Sequence, residues 1–536
     1  MFRFSLCHRA WFGVVFCLVT SALLHASPYQ AGDVVYTLDM QSPVVQSRPL
    51  IDGAQWVKDG PGGQVCYQIT VGKAMAQNMN ASVFPVDLTP YRGLYMQLSC
   101  KVKAQDVTRP RQSWNGIKCM LNYKTPTTGE HWHNQGNVFG SFDWKTINTN
   151  FMVPSDAADG QLMLGLQDCT GKAWIKDVKL TVLQAPPTRP KLPDNPGPAY
   201  KGHNLPRLRG VMSPQTFRAQ DFVDLEKWNV NVVRWQMTRH WGKANTDLDI
   251  AEYDTWIDAE LTDLHKAADA AYKHGIKLVI DLHSPPGGRL EDSTMRMFLE
   301  KKYQDHFIKV WQKIATQFKD HPAIWCYDLI NEPVQNQQPP AGVENWLGAQ
   351  ILAAKAIRKI DPKTAICIEV DGWTAPQQFK WLSPIDIPNL IYQVHMYWPG
   401  QFTHQGVHNA WGVEGGDPRI EYPGTYRGMK LDQAALRREL QPVRDFQLQC
   451  NAHIFVGEFS AIRWAPGAAQ YLEDCIEIFE EYGWDWTYHA FREWDGWSVE
   501  HNNLPADRSH HVKATQETDR ARVLKKWFEK NERASK

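Results

Sequence analysis

The sequence has no excess of charge of either sign, because 58 Lys and Arg residues balance 58 Asp and Glu residues over 536 positions. Proteins that bind nucleic acid or an anionic membrane surface usually carry a basic excess, so the composition argues against both partners. No apolar run after the first 26 residues is long enough to cross a bilayer as a helix. No Gly-x-Gly-x-x-Gly follows the first strand-like run of the C-terminal part, which argues against a nucleotide-binding, doubly wound sheet.

Cysteine is also scarce, with ten residues in the whole chain and no Cys-x-x-Cys pair that would suggest a zinc site. Two of the ten lie in the first 26 residues. An oxidising compartment would permit disulfides, and we expect them within the group before residue 185 or within the group after it. Cys326 and Cys367 lie inside apolar runs, so we expect them to be buried free thiols. The two groups are Cys66, Cys100, Cys119 and Cys169, and Cys326, Cys367, Cys450 and Cys475.

Residues 1–26 have the pattern of a secretory signal peptide. A basic start with Arg3 and Arg9 precedes an apolar core from Trp11 to Leu24, and small residues follow. The apolar core is shorter than the roughly 20 residues that a membrane-spanning helix needs. We therefore expect a secreted or periplasmic protein without a membrane span.

A proline-rich stretch divides the rest of the chain. Residues 185–206 cannot continue a helix or a central strand and are predicted to be a semi-rigid linker. Residues 27–184 show short alternating segments separated by Gly, Asp and Asn turns, which predicts an all-β sandwich or jelly roll. Its aromatic residues either pack in the core or form a platform for sugar rings; the candidates are Trp114, Trp132 and Trp144.

Residues 207–536 instead alternate apolar strand-like runs with amphipathic segments, two of which end in Gly. Runs that are hydrophobic on both faces are typical of a parallel sheet covered by helices. Eight runs in about 300 residues favour an α/β fold of the (β/α)8 TIM-barrel type over an open sheet. The runs are 209–213, 230–236, 276–283, 323–332, 364–370, 390–397, 453–460 and 485–493.

Polar residues gather at the ends of these runs, where such a barrel forms its active site. Two of them are glutamates on opposite sides of the predicted barrel mouth, Glu332 and Glu458. Glycoside hydrolysis needs such a pair: one carboxylic acid protonates the leaving oxygen while the other carboxylate attacks the anomeric carbon or activates water. The other polar residues at the run ends are Arg234, Asp281, His283, Asn331, His395, Tyr397, Glu493 and Trp494.

The C-terminal part resembles the cellulase-type glycoside hydrolases of family 5, in the clan of barrel enzymes with carboxylates on strands four and seven. The resemblance covers residues 205–530 and rests on six motifs in this order: VVRWQ, DLH, LINEP, QVHMYW, VGEFS and REW. It implies retaining double displacement, with Glu458 as the nucleophile and Glu332 as the general acid/base, and it implies no metal and no cofactor. Retention requires carboxyl groups roughly 5 Å apart, against about 6.5–9.5 Å for inversion.

The resemblance also assigns substrate-binding roles. Asn331 would bond the sugar 2-hydroxyl, and Trp494 would form the stacking floor, with Trp497 or Glu493 as alternatives for part of that role. The residues expected to order the site are Arg234, His283, His395 and Tyr397. The N-terminal β region resembles a carbohydrate-binding module in position and β-character, with a domain that packs on the barrel as the alternative.

We therefore expect a glycosidase that hydrolyses O-glycosyl bonds in a polysaccharide or oligosaccharide, acting as a monomer on a β-linked glucan such as cellulose. β-Mannan, xyloglucan, β-1,3-glucan and exo-action remain open, because substrate choice lies in loops such as 399–430, whose Trp411, Tyr422 and Tyr426 are expected to wall the cleft. A non-catalytic sugar-binding barrel is the alternative of a different class.

Overall fold

The computed structural model describes residues 28–76, 78–126, 129–192, 203–407, 420–426, 428–503 and 512–533. The predicted signal peptide lies outside these ranges. Among the described residues, no helix combines the length and the apolar character needed to span a membrane.

The N-terminal region consists of two antiparallel sheets. One has the strand order β2-β3-β10-β5-β8, with β1 paired to β10, and the other has the order β4-β9-β6-β7. A one-turn helix, α1 (Pro43–Gln46), follows the first strand. The strands are β1 (Val34–Thr37), β2 (Ala54–Val57), β3 (Cys66–Val71), β4 (Met79–Asp87), β5 (Tyr95–Val107), β6 (Gly116–Thr125), β7 (Gly129–His133), β8 (Gly140–Met152), β9 (Asp159–Gln167) and β10 (Gly171–Gln184).

The two sheets share one hydrophobic core, as the alternating sequence pattern predicts for a sandwich. Side chains on one face of β6 enter this core, and those on its other face do not. The β6 residues that enter it are Ile117, Cys119, Leu121 and Tyr123.

The cysteines differ in part from the expectation. All eight cysteines from Cys66 to Cys475 are free thiols, so the disulfides expected within each group are not formed. Cys326 and Cys367 are buried and free, which confirms the prediction for these two.

The C-terminal part forms a closed barrel of eight parallel strands, and each strand contains residues of one predicted run. The strands are β11 (Arg209–Met212), β12 (Val232–Gln236), β13 (Lys277–Asp281), β14 (Ile324–Asp328), β15 (Ala365–Glu369), β16 (Leu390–Met396), β19 (His453–Phe459) and β20 (Asp485–Tyr488). A small hairpin of β17 (Gly424–Tyr426) and β18 (Met429–Leu431) lies between β16 and β19.

Helices cover the barrel, except between β15 and β16, where a 3₁₀ turn over Pro376–Lys380 makes the connection. Gly483 follows the helix Ala468–Tyr482 directly and caps it with a φ of +79°, which is easily adopted only by glycine. The helices are α2 (Ala219–Lys227), α3 (Ile250–Lys273), α4 (Lys301–Phe318), α5 (Trp346–Arg358), α6 (Gly400–Thr403), α7 (Gln433–Cys450), α8 (Ala468–Tyr482) and α9 (Asp519–Phe528).

Two strands are shorter than their runs. β14 ends at Asp328, so Asn331 and Glu332 lie in the loop after the strand rather than at its tip. β20 ends at Tyr488, so Glu493 and Trp494 also follow in a loop.

The barrel interior is layered by the two-residue period of its strands. An apolar layer near the amino ends includes Val232, Val279, Cys326, Cys367 and Ile391. Two positions further along the same strands, each apolar residue is followed by a fully buried polar one. These residues are Arg234, Asp281, Asp328, Glu369 and Gln393.

The N-terminal sheets contact the barrel near the predicted active site. Gln97 Nε2 donates to the backbone carbonyl of Asn336 at 2.7 Å, and Asn150 Nδ2 donates to Asn336 Oδ1 at 2.8 Å. Asn336 lies only four residues after Glu332. The N-terminal region therefore supports the loop that carries one of the two predicted catalytic carboxylates.

A second contact involves the 3₁₀ turn after β15. Trp381 Nε1 donates to the carbonyl of Gly93 at 3.0 Å, and its ring packs on Tyr95 with centroids 5.0 Å apart. Arg189, inside the proline-rich stretch, donates to the carbonyl of Leu382 at 2.6 Å. These contacts favour the alternative in which the N-terminal region packs on the barrel.

Candidate active site

A single buried guanidinium, that of Arg234, faces four carboxylates inside the barrel. Burial lowers the pKa of Arg234, but the carboxylates outweigh this effect and raise it well above its ordinary value, so the side chain stays charged. Its contacts are Nη1 to Glu458 Oε1 at 2.6 Å, Nε to Asp328 Oδ2 at 2.8 Å, Nη2 to Glu369 Oε1 and to Asn331 Oδ1 at 2.9 Å each, and Nη2 to Asp281 Oδ2 at 3.2 Å.

A chain of hydrogen bonds orients Asn331. Its oxygen accepts from Arg234, so its amide nitrogen points to His283 Nε2, 3.0 Å away. His283 Nδ1 lies 2.8 Å from Asp281 Oδ2. A neutral His283 with its proton on Nδ1 satisfies both contacts. The amide NH₂ of Asn331 is thereby fixed at the rim.

Glu332 is held by its backbone as well as by its carboxylate. It adopts a left-handed φ of +50°, which costs free energy for a residue other than glycine and is typical of functional sites. Its N–H donates to Glu369 Oε2 at 2.7 Å, and its carbonyl accepts from Arg289 Nη2 at 2.9 Å. Its Oε1 lies 2.9 Å from His395 Nδ1.

A change of register in β19 brings Glu458 to the rim. Val456 pairs with Val394, but Glu458 pairs with His395, so Gly457 is an extra residue in the ladder. A bulge of this kind redirects the side chain that follows. Gly457 is required here because a Cβ on it would lie 2.3 Å from the side chain of Gln393.

The Glu458 carboxylate is the more enclosed of the pair, with 4% of its side chain exposed against 20% for Glu332. Tyr397 donates to its Oε2 at 2.9 Å, and His489 Nδ1 lies 3.2 Å from the same oxygen. Burial raises the pKa of Glu458, but its cationic and histidine neighbours outweigh burial and hold the pKa well below its ordinary value. Glu458 is therefore ionised at neutral pH.

The two carboxylates lie close together. One atom from each of Glu332, His395 and Glu458 falls within 4.8 Å of the others, so these three residues could also contact one small cation. Among the described residues, the other group with such spacing is His203, His453 and Asp485, at the amino end of the barrel.

This second group is explained by hydrogen bonds alone. His203 Nδ1 accepts the N–H of Leu205 at 3.1 Å, so its proton is on Nε2, which lies 2.9 Å from Asp485 Oδ2. A metal would need that nitrogen without its proton. The group therefore fits a polar cluster that closes the barrel floor.

The structure brings seven of the eight predicted site residues into one network and places Trp494 beside it. Trp494 is 36% exposed and packs edge-on against Trp497, with ring centroids 5.6 Å apart. Trp497 is 6% exposed and lies 5.7 Å from the His489 ring and 6.1 Å from the Tyr397 ring. Trp494 reaches the network through Trp497.

One expected cleft residue is elsewhere. Tyr422 is buried, with its hydroxyl on Asp474 and its ring against Phe402 and Tyr471, so the prediction that it walls the cleft is wrong. Trp411 and the Tyr426 side chain lie outside the described residues.

The sequence interpretation missed four members of the network, namely Asp328, Glu369, Gln393 and His489. The first three had a signal, since each stands two positions after an inward-facing apolar residue of its strand. His489 follows Tyr488 at the end of the eighth strand, the position at which the other strands carry site residues.

A closed parallel barrel with a carboxylate pair at the carboxyl ends of its strands defines the class of the (β/α)8 glycosidases. Residues 197–495, more than half of the chain, match the family Cellulase (glycosyl hydrolase family 5). The chain belongs to this family and is a glycosidase that hydrolyses glycosidic bonds.

Individual relatives are more distant. The chain is 26% identical over 268 residues to endoglucanase C of Acetivibrio thermocellus, which covers 45% of this chain and 76% of the relative. It is 28% identical over 146 residues to cellodextrinase A of Ruminococcus flavefaciens, which covers 27% and 42% respectively. The structure of Thermotoga maritima Cel5A in complex with cellobiose aligns with 62% of this chain and 100% of its own at 21% identity, with a TM-score of 0.47.

Proposed function

We propose that this protein is an exported, retaining glycosidase that cleaves a β-1,4-linked glucan. The observation that carries the mechanism is the spacing of the two carboxylates, whose nearest oxygens lie within 4.8 Å. This spacing suits direct attack by one carboxylate, whereas inversion needs room for a water between them. The names of the relatives, an endoglucanase and a cellodextrinase, support a β-glucan as the substrate.

The environments of the two glutamates support a division of roles. Glu458 is ionised and accepts hydrogen bonds on both oxygens, as a nucleophile should. In the first step its carboxylate attacks the anomeric carbon, while Glu332 gives its proton to the departing glycosidic oxygen. In the second step Glu332 takes a proton from water, the water attacks the same carbon, and Glu458 leaves as a carboxylate.

The amide of Asn331 supports the proposed mechanism. Its NH₂ group, fixed by Arg234 and His283, is placed to bond the 2-hydroxyl of the sugar at the cleavage point. Such a bond can strengthen in the transition state and so assist cleavage of the neighbouring glycosidic bond.

A panel of polysaccharides tests the substrate. We expect kcat/KM on β-1,4-glucan to exceed that on β-1,4-mannan by about tenfold or more, and product chromatography to distinguish a ladder of oligosaccharides from release of one end product. The panel includes xyloglucan and β-1,3-glucan, and Glu458→Gln is the inactive control. An equal or higher rate on mannan would overturn the assignment to glucan.

A second proposal concerns the N-terminal region, where we propose that two exposed indoles, those of Trp114 and Trp132, bind the polysaccharide. Trp114 and Trp132 are 56% and 51% exposed, whereas Trp144 is half-buried on the other sheet. Trp132 pairs with Asn122 across β6 and β7 and shares its face. Lys118, also on this face of β6, donates to the Trp114 carbonyl, so the Trp114 backbone lies beside the same face.

That surface has the chemistry of a sugar platform. Asn122, between Gln161 of β9 and Trp132 of β7, is buried and donates to Glu130 and to the His131 carbonyl, so the exposed Gln161 supplies the free amide on the same face as Trp132. The faces of β-linked glucose rings are apolar and their edges carry hydroxyls, which this arrangement complements.

Removing both indoles tests this surface. We expect the Trp114→Ala, Trp132→Ala double variant to bind insoluble cellulose about tenfold more weakly, with hydrolysis of a soluble aryl cellobioside unchanged. Trp144→Ala is the matched control. Cellulose binding equal to that of the wild type would refute the proposal without affecting the assignment of the barrel.

A further inference from the structure

One buried imidazole lies between the proposed nucleophile and a second carboxylate, that of Glu493. His489 follows β20 directly, and its Nδ1 lies 3.2 Å from Glu458 Oε2. Its Nε2 lies 2.7 Å from Glu493 Oε2 on the opposite side of the ring. The Glu493 side chain is fully buried, so its charge has little solvent to stabilise it.

The hydrogen-bond geometry requires a cation at His489. A neutral imidazole has one N–H and can donate on only one side of the ring, whereas the imidazolium donates to Glu493 from Nε2 and to the Tyr397 hydroxyl from Nδ1, with Glu458 Oε2 3.2 Å from the same nitrogen. The Tyr397 hydroxyl, which donates to Glu458 Oε2, also contacts His489 Nδ1 and must accept there. Burial lowers the pKa of His489, but Glu493 and Glu458 outweigh this and raise it to about 10.

Glu458 also has charged neighbours other than His489. Arg234 of β12 and His395 of β16 contact Glu458 from its other sides, at 2.6 and 3.7 Å. The His404 ring packs against Tyr397 and Trp497. Arg234 therefore contacts Glu458 Oε1, whereas Tyr397 and His489 contact Glu458 Oε2.

We propose that His489 and Glu493 form a positioning pair that holds Glu458 ionised and aligned for attack. The inference rests on the proposed role of Glu458 as the nucleophile. When Glu458 forms its bond to the sugar, its negative charge is consumed, and Glu493 keeps the imidazolium paired in the buried site. When water releases the sugar, the returning carboxylate meets a cation that is already in place.

Isosteric replacement of Glu493 provides the sharpest test. Glu493→Gln removes the negative charge beside Nε2, so the pKa of His489 falls from about 10 towards its ordinary value of about 6.5. As the pH rises through that lowered pKa, His489 loses its proton and Glu458 loses a cationic neighbour. Activity is therefore retained at acidic pH and lost as the pH rises above about 7.

The test needs a substrate whose first step, transfer of the sugar to Glu458, does not depend on a proton from Glu332. With 2,4-dinitrophenyl β-cellobioside the leaving group needs no proton, so the ionisation of Glu332 does not limit kcat/KM. We expect the wild-type profile to stay level to about pH 9, and the Glu493→Gln profile to fall roughly tenfold between pH 6 and pH 9. Glu500→Gln, a nearby carboxylate paired with Arg492 instead, should follow the wild type.

A second variant acts at the other end of the profile. His489→Gln removes the cation itself, so the pKa of Glu458 rises and the acidic side of the pH–activity profile should move to higher pH. Glu493→Gln should leave the acidic side of the profile in place, because His489 is still protonated at low pH. If the pH profiles of both variants run parallel to that of the wild type, His489 and Glu493 have only a structural role and the proposal is wrong. Absence of hydrolysis by the wild type would instead refute the proposed function.

Discussion

Replacing Glu332 with alanine is expected to lower the hydrolysis of β-1,4-glucan by about 10²–10⁴-fold, the usual contribution of a general acid. The loss should be far smaller for the first step with 2,4-dinitrophenyl β-cellobioside, whose leaving group departs unprotonated. Stopped-flow measurement of dinitrophenolate separates that step from the second, in which the missing base slows release of the sugar. The variant should therefore show a burst followed by a slow steady state.

The matched control is Glu344→Ala, an exposed carboxylate further along the loop after β14. It should hydrolyse both substrates at the wild-type rate. Unchanged polysaccharide hydrolysis by Glu332→Ala would refute the mechanism and leave a barrel that uses other groups. Absence of hydrolysis by the wild type on every β-glycan would favour the non-catalytic sugar-binding alternative.

Replacing Arg234 with methionine is expected to have the largest effect on stability. The change leaves Asp281, Asp328, Glu369 and Glu458 buried without their shared cation. Breaking a buried ion pair by removing one partner costs about 3–5 kcal/mol, and four carboxylates lose their cation here. We expect the midpoint of thermal unfolding at pH 7 to fall by about 10 °C or more.

The pH dependence of this loss follows from the carboxylates. Arg234 lowers the pKa values of Asp328, Glu369 and Glu458 against the effect of burial, so without it these pKa values rise, the folded variant takes up protons at higher pH than the wild type, and the deficit shrinks as the pH falls towards 4. Thermal unfolding followed by circular dichroism at pH 4 and pH 7 measures both parts. Arg437→Met, which breaks the more exposed pair with Glu481, is the control. A midpoint within 2 °C of the wild type would contradict the central role of Arg234.

The arrangement of the barrel could be predicted because its signals are local. Apolar runs, glycine stops and polar residues at the run ends each follow from the chain within a few positions. The position of Glu458 at the rim depends in addition on Gly457, which adds a residue to β19. The sequence pattern does not indicate that bulge.

Other features depend on distant contacts. Asp328 and Glu369 stand inside apolar strands, and only barrel closure reveals that both meet Arg234. Tyr422 is an aromatic residue in the long loop after β16, as a cleft residue would be, but it is buried against Phe402 and Tyr471. The hydrogen bond from Gln97 to Asn336 joins positions more than 200 residues apart. Such contacts are set by tertiary packing and leave no pattern in a single sequence.

The configuration of the product formed with azide tests the central claim most directly. In Glu332→Ala, the sugar attached to Glu458 should be attacked from the face that Glu332 vacates, which gives the β-glycosyl azide. In Glu458→Ala, azide should enter from the nucleophile's side and give the α-glycosyl azide. NMR spectroscopy of the two products distinguishes them. β-Azide from Glu332→Ala and α-azide from Glu458→Ala is the predicted result, and the reverse pair would contradict the assigned roles.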